Sequence, residues 1–521
     1  MSTVGPRDAE RPVVLALDMG SGSLRAIFYD RLGREVAGTE GRTATAWTRT
    51  SDGGVEADAE ALVAGVGAAI DAALAGLGDV ASEIRAVGVS TFWHNVLGID
   101  AAGRPLTPLY SWADGRSAAA VAALRERLDE EAVRRRTGCV FHPSYLPARL
   151  LWLRTARAGV FRAVRTWMSI GEYLTLRLFG RAVCSISMAS GTGMLDLRRC
   201  GWDGEVLDAV GLSTERLCPL GDLDAPLCGL AREYASRWPA LARVPWLPAA
   251  GDGALSNIGT ACVGRGRTAL SLGTSGALRV LWPGDVPDVP RALWVYRADR
   301  RRVLTGGAVS NGGSVYRWLR DQFVLADPAE TDAALRDRPP DSHGLVMLPF
   351  LSGERSPAWP AASRGAIVGM TLATQPLDLV QAALEAVAYR LALIWDALSA
   401  LRRPHGPGDG AGEIVASGGA LAHLPVWLQI IADVLGREII RSAEDEGSSR
   451  GAALSALEVL GALRTEDMSV PRAAVVRPDP SRHARYQDAR ARHARVEHAL
   501  EPLQPQGAGA APPAPAAGPV D

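Results

Sequence analysis

An α/β fold of two similar halves facing each other across a cleft is what the sequence predicts, and three observations predict it. The first is Leu17–Arg25, reading LDMGSGSLR. The apolar run VVLALD stops at Asp18, Gly20, Ser21, Gly22 and Ser23 form a link, and a second run, LRAIFYD, leaves it. Two strands joined by a Gly/Ser turn make a hairpin. The second observation is that the pattern recurs later in the chain as ALSLGTSGALRV, Ala269–Val280, with its turn at Gly273–Gly276. The third is the order that follows the first hairpin. Three strands, a helix, a strand and a further helix form the pattern of a ribonuclease-H-like or actin-like half.

Strands are expected at 12–18, 23–29 and 34–39, the last two joined by the turn Asp30–Glu35. Ala57–Leu77 carries Leu62, Val66, Ile70 and Leu74 at helical spacing along one buried stripe, with Asp58 as N-cap. IRAVGVS (84–90) reads as a buried strand, followed by the polar-aromatic stretch TFWHN (91–95) and a short strand, VLGID. A charged helix is expected over Ser117–Glu131, and residues 156–245 read as helical and irregular. Gly264, Arg265 and Gly266 mark a boundary, so the expected domains are 12–263 and 264–485. The second half opens with strands 267–273, 276–282 and 303–310, then a helix, Gly312–Phe323. Residues 345–360 are a strand and a loop, and Gln375–Leu401 is a long, mostly apolar helix buried between layers. A strand ending in glycines (413–420) precedes a helix over 424–436, with Pro425 in its first turn and Gly436 at its exit. The strand REIIR and an Ala-rich helix (448–463) close the core. Residues 1–11 are expected to fray, and the Pro/Gly/Ala-rich tail 504–521 to be disordered.

A chain of 521 residues is long enough for two or more domains with substantial cores. A net charge of −1 makes no electrostatic case for nucleic acid or an anionic membrane. Six cysteines with no CxxC pair argue against a disulfide framework or a zinc site and fit a reducing cytosol. The N-terminus lacks the apolar core of a signal peptide, and no run of about 18 apolar residues is present, so a cytoplasmic chain without a membrane span is expected.

Glycines in a hairpin let the backbone approach a phosphate closely, while hydroxyls and amide N–H groups bind its oxygens. A carboxylate at the strand end, Asp18, can hold a hydrated Mg²⁺ that neutralises them. Gly418 and Gly419 end a strand just before a helix, where a flat group or phosphate can lie on the backbone near the positive helix terminus. Asp252, flanked by Gly251 and Gly253, presents a carboxylate at a crevice, as a general base for phosphoryl transfer requires. An N-cap role is the structural alternative and is compatible with it. In the first half, Trp93, His94, Asn95, Asp114, Arg116 and His142 gather on loops among aromatics. That mix suits a polyhydroxylated ligand. Glu354-Arg355-Ser356-Pro357 reads equally as a salt-bridged loop.

These residues carry a resemblance to the FGGY carbohydrate kinases, running from about residue 12 to 485. Its anchors are LDMGSGSLR, YSWADGRS (110–117), AAGDGALSNIG (249–259), SLGTSG (271–276), LPFLSGERSPAWPAASRGAIVGMTL (348–372) and ASGGALAHLPVWLQIIADVLGR (416–437). The resemblance implies two actin-like domains with ATP and a sugar between them, and a catalytic base at Asp252. It assigns Asp18 to Mg²⁺ and Gly20, Ser21, Ser23 and Arg25 to the first phosphate loop. Gly273, Thr274 and Ser275 form the second, and Gly312 is taken with the same nucleotide side. The adenosine motif matches Gly418, Gly419 and Ala420, with His423 where a small polar residue is usual. The sugar side falls at Trp93, His94, Asp114, Arg116, His142 and Arg149.

Within the family, WADGRS, RRTGCVFHPSYLPARLLWL, SISMASGTGMLDL and GDGALSNIG are most similar to gluconate kinases. A sugar acid's carboxylate matches a guanidinium, and Arg116 and Arg149 are the candidates. Three positions depart from pattern. Phe92-Trp93-His94 stands where pentulose kinases have Gln-Met-His, Gly251 where gluconate kinases tend to have Ser, and Arg149 where many members have Lys. The expected activity is ATP-dependent phosphorylation of gluconate to 6-phosphogluconate. A pentulose such as xylulose or ribulose, or a polyol, is the alternative acceptor. A different class, an actin- or Hsp70-like ATPase that moves a partner, would need neither the Asp252 base nor the first-half sugar loops. The expected partners are the small-molecule sugar and ATP, with a homodimer left open.

Overall fold

Two sheets, one from each half of the chain, share a strand order, and a computed structural model describes residues 3–359, 363–401 and 412–504 of them. In the first half, β1 (Val13–Met19) and β2 (Ser23–Tyr29) form the hairpin, and β3 (Gly41–Ala44) continues the antiparallel run. On its other edge β1 pairs in parallel with β4 (Ile84–Thr91), and β4 with the short β5 (Ala250–Gly251). The order is β3-β2-β1-β4-β5. The second half repeats it: β6 (Arg267–Leu272) and β7 (Gly276–Pro283) form the hairpin, β8 (Trp294–Arg297) pairs with β9 (Arg302–Val309), and β9 lies against β7. On the other edge, β6 pairs in parallel with β10 (Glu413–Ser417), and β10 with β11 (Ile439–Ser442). A final strand, β12 (Arg472–Val476), closes that edge. The order β9-β7-β6-β10-β11 is the same motif twice over, which is the duplication expected of two actin-like halves.

Helices follow in equivalent places. Helix α1 (Ala59–Leu77) is capped by the Asp58 carboxylate, which accepts from the N–H groups of Glu60 and Ala61, and lays Leu62, Val66 and Ile70 on β2 and β3. It is the one described helix long and apolar enough to cross a membrane, and its apolar stripe is buried on the sheet. Helix α2 (Asp252–Gly259) follows β5. In the second half come α3 (Gly313–Gln322), the buried α4 (Pro376–Leu401), α5 (Pro425–Leu435), which exits through left-handed Gly436, and α6 (Gly447–Val459) after β11.

The two helices that follow the fifth strands, α2 and α6, pack against each other. Their contact is backbone on backbone. A Cβ at Gly259 would enter the Gly447 carbonyl, and one at Gly451 the Leu255 carbonyl. Helix α6 also lies on β1 and β4, where a Cβ at Gly88 would enter the Ala452 carbonyl. Thus a helix encoded late in the chain packs onto the first-half sheet.

Four expectations need correction. Residues 34–39 are not a strand. The Asp30 carboxylate accepts from the N–H groups of Leu32 and Arg34 and tightens the turn, and the chain then bridges Val4 to Val36, so the third strand starts only at Gly41. Residues 3–11 do not fray, because Val4 accepts from Ala37 and donates to Glu35. The charged helix 117–131 is two helices, Ala118–Arg127 and Glu130–Thr137, since Asp129 caps the second. Strand β12 and α7 (Pro480–Leu500) were not anticipated, because α7 buries only Tyr486, Ala489 and His493 and its polar sequence shows little amphipathic pattern. The tail expectation lies outside the described residues from 505 onward.

The α2–α6 contact makes a testable prediction. In an exposed helix, Gly→Ala gains about 1 kcal/mol. At Gly451 the added methyl meets the Leu255 backbone, and Gly451→Ala is expected to lower the unfolding free energy by about 1–3 kcal/mol in urea denaturation.

Candidate active site

The carboxyl ends of parallel strands are where open α/β sheets bind ligands. Asp18 pairs with Ser90 and Met19 with Thr91 in the β1–β4 register, and Gly251 pairs with Thr91 on the far side. Asp18 and Asp252 therefore leave the same edge of one sheet, two strand spacings, about 10 Å, apart. Asp18 is 8% exposed, and its Oδ1 has no hydrogen-bond partner. Burial raises its pKa, while the neighbouring Ser90 hydroxyl and the Arg25 charge oppose the rise. The hydroxyls of Ser90 and Thr91 are buried beside it and also lack partners.

Asp252 opens α2, with Gly251 in the capping position instead, so the N-cap role does not hold. Its Oδ1 accepts only the next N–H, that of Gly253, at 2.7 Å. Its pKa is pushed up to about 6, first by burial and then by the Asp18 charge, against the pull of Arg279 and Arg355. Arg279, on β7, is held by Asn257 Oδ1 at 3.1 Å and by the Ser271 hydroxyl at 2.9 Å. A single guanidinium thus ties the Asp252 region to the second hairpin's strands. Its signal in the sequence was a lone arginine inside the apolar run ALRV.

The hairpin turns differ in support. In the first, Gly20 N–H closes on the Ser23 carbonyl, and Trp47 Nε1 donates to the Ser21 carbonyl at 2.6 Å. Arg25, expected on phosphate, is ion-paired with Glu446 just before α6. In the second turn, Gly273 N–H closes on the Ser275 carbonyl, and the N–H groups of Gly312 and Ser314 donate to the Thr274 carbonyl. Gly312 and Gly313 are pressed against this turn, and a Cβ on Gly313 would stand 3.1 Å from that of Ala420. Gly418 has φ +114° and backs onto Leu272, a conformation and closeness that only glycine accommodates. Gly273, Thr274, Ser275, Gly312, Gly418, Gly419 and Ala420 are therefore gathered at one corner, with exposed His423 at the end of the short helix Gly419–His423.

On the other side of Asp252 is an aromatic chamber. Trp93 lies over Gly251, Gly253 and Gly191, donates its indole N–H to the Ser187 carbonyl at 3.0 Å, and faces Tyr296 at 5.0 Å. His94, at φ +62°, hydrogen-bonds through Nδ1 to the Gly191 carbonyl at 2.6 Å. A carbonyl only accepts, so Nδ1 carries the proton and Nε2 is left as an acceptor. In His142 the tautomer is reversed: Nδ1 accepts from the Ser144 N–H, so Nε2 is the donor. That Nε2 is buried without a partner in hydrogen-bond geometry, the Glu354 carbonyl being the nearby backbone group. Burial, with the Arg355 charge second, holds both imidazoles down to about 3, so both are neutral at ordinary pH. Tyr145, whose hydroxyl meets that of Tyr296 at 2.6 Å, and Trp359 complete the wall.

Three expected sugar-side residues are committed elsewhere. Asp114 accepts from Val55 N–H and from Arg116. Arg116 is held by Asp114 and Glu56 and stacks over Tyr110 and Trp152. Arg149 donates to the carbonyls of His94 and Pro143. They brace the loops that carry His94 and His142; Arg116 is paired with two carboxylates, while Arg149 meets only carbonyls and keeps its Nε unpartnered. Arg279, Arg355, Tyr145, Tyr296 and Trp359 were missed, because nothing in their local sequence says which distant loops they meet.

Two halves of one strand order, a half-buried carboxylate where their helices join, and a glycine hairpin from each half define a class, the actin-like phosphotransferases. Residues 13–259 match the N-terminal domain of the FGGY family of carbohydrate kinases, and residues 268–458 match its C-terminal domain. The chain belongs to this family, whose members transfer phosphate to an alcohol group of a sugar with ATP as the donor. It is 31% identical over 397 residues to a gluconokinase of Bacillus subtilis, covering 74% of this chain and 76% of the relative. It is 28% identical over 508 residues to a xylulose kinase of Escherichia coli, covering 94% and 99%. Among solved structures, gluconate kinase from Lactobacillus acidophilus superposes with a TM-score of 0.81 at 28% identity, covering 94% of this chain and 98% of that one.

Two departures noted in the sequence prove to be one. A side chain at Gly251 would enter the Trp93 indole, so the large residue at 93 requires glycine at 251. Gly251→Ser alone is expected to lose most phosphorylation activity, and Trp93→Met in the same chain to restore part of it. The check is a double-mutant cycle on kcat/KM.

Proposed function

We propose that this chain phosphorylates gluconate to 6-phosphogluconate with ATP. The observation that carries the chemistry is Asp252, a half-buried carboxylate whose other oxygen has no hydrogen bond among the described residues and whose pKa is pushed up to about 6, beside the aromatic chamber. A base of that strength is largely ionised at neutral pH and still able to accept a proton. In this reading it takes the proton of the terminal hydroxyl as the phosphoryl group arrives. Arg279 keeps the carboxylate pointed and charged. His94 Nε2 accepts from one substrate hydroxyl, and Trp93 and Tyr296 cover the C–H faces. Gly20, Ser21 and Ser23 on one side and Gly273, Thr274 and Ser275 on the other hold phosphate oxygens through N–H and O–H groups, with Gly312 supporting the second turn. Gly418, Gly419 and Ala420 form the floor for the nucleoside. Positioning and electrostatics supply most of the rate.

The residues around Asp18 fit a divalent cation, since its Oδ1 and the Ser90 and Thr91 hydroxyls are buried oxygens without partners. Mg²⁺ held there would neutralise charge on the β- and γ-phosphates. We read the two working units as 12–263 and 264–485, and the cytoplasm, where ATP is supplied, as the site of action.

The gluconate assignment draws on similarity to gluconokinases. A pentulose acceptor draws on the nearly full-length similarity to a xylulose kinase. ADP release measured across gluconate, other aldonates, pentuloses, pentitols and glycerol decides between them. Gluconate is expected to give the highest kcat/KM, and a pentulose in that place would overturn the assignment.

Asp252→Asn is expected to lower kcat by about 10²–10⁴-fold while ATP still binds. Near-normal turnover would exclude Asp252 as the base. Because the base works when ionised, wild-type kcat/KM is expected to fall about tenfold per pH unit below a pH of about 6.

A further inference from the structure

Arg355 follows Glu354 in a loop that the sequence read as salt-bridged, and only half of that reading holds. Glu354 is taken by Arg390, whose Nε and Nη2 each donate to it at 2.6 Å. Arg355 forms no side-chain hydrogen bond and no ion pair among the described residues, and its Nε is fully buried without a partner. A guanidinium keeps its charge at any working pH and carries five N–H donors. The residue as a whole is half-buried, so its terminal nitrogens are open to a ligand while Nε is shielded, and a bound anion would pair a charge that no described carboxylate meets.

Its surroundings say which anion. The guanidinium carbon lies 5.1 Å from the Trp112 ring, and its charge is felt at His94, His142, Tyr145, Tyr296 and Asp252. Those are the groups of the acceptor chamber. Of the other chamber cations, Arg149 spends both terminal nitrogens on backbone carbonyls, leaving its Nε unpartnered, and Arg279 is held by Asn257 and Ser271 beside Asp252. We propose that Arg355 seats the carboxylate of the acceptor and makes the chamber select sugar acids over uncharged sugars. This rests on the acceptor being a sugar acid. A linear aldonate would then place its carboxylate at Arg355 and its terminal hydroxyl at Asp252. Arg116 and Arg149 keep their bracing role.

The test is calorimetric titration of the full chain, loaded with a non-hydrolysable ATP analogue, with gluconate and with sorbitol, its uncharged counterpart. In Arg355→Met, the ratio of gluconate to sorbitol affinity is expected to fall about 10- to 100-fold. Binding of the ATP analogue reports that the variant is folded. Should the methionine variant not fold, Arg355→Gln is measured for the same ratio, with the same expectation. If gluconate binding survives in the variant, or both ligands weaken equally, the carboxylate seat is overturned while the gluconate assignment stands. If the wild-type chain binds and phosphorylates neutral sugars but no aldonate, the sugar-acid reading fails and the seat with it.

Discussion

Helices α2 and α6 touch through their backbones, with Gly259 and Gly447 at one crossing and Gly451 against Leu255 at another. The placement of Asp252 against the first hairpin follows from that contact. The first turn of α2 holds Asp252, and the Ser448 hydroxyl of α6 donates to the Asp252 carbonyl at 3.3 Å. Just before α6, Glu446 pairs with Arg25 of the first hairpin. Arg450, farther along α6, donates to the carbonyls of Gly33 and Gly259. The second half thus delivers a helix into the first, and the carboxylate at the junction is shared by both. Larger residues at the crossing would push the helices apart, and the hairpins with them.

Burial does most of the electrostatic work at this junction. It raises both carboxylates, and the repulsion from Asp18 adds to the rise at Asp252. It also neutralises His94 and His142, whose hydrogen bonds to the Gly191 carbonyl and from the Ser144 N–H then fix opposite tautomers, one leaving an acceptor and the other a donor. Positive charge is left at the guanidiniums of Arg149, Arg279 and Arg355. Arg279 is anchored beside Asp252, and Arg355 has no hydrogen bond or ion pair among the described residues and lies over Trp112. The enclosure offers acceptor, donor and cation among aromatic faces, a combination suited to discrimination by hydrogen-bond pattern and charge more than by size.

Much of this was legible in the chain. Both hairpins, Asp58 as a cap, the buried Gln375–Leu401 segment and the Gly436 exit were signalled by residues within one turn or one strand of each other. The third strand was misplaced because the Asp30 turn and the bridge to Val4 depend on residues far from 34–39. The polar helix Pro480–Leu500 was missed because three buried side chains do not make a stripe. At the site, Asp18 and Asp252 stood out by their glycine neighbours, while the pairing of Arg116 with Asp114 and Glu56 was not legible.

By itself, the sequence determined the two-fold repeat of hairpin and helix, the family, and the two carboxylates, because turn chemistry and apolar periodicity are written in neighbouring residues. Only the tertiary structure decided which charges are paired. Arg116 meets Glu56 and Asp114, Glu354 meets Arg390, and Arg355 is left over. It also decided that Trp93 and Gly251 are one feature, since an indole and a missing side chain must occupy the same space. The physical reason is common to both. Ion pairing and volume exclusion act at a few ångströms between residues far apart along the chain, and folding alone brings them within that reach.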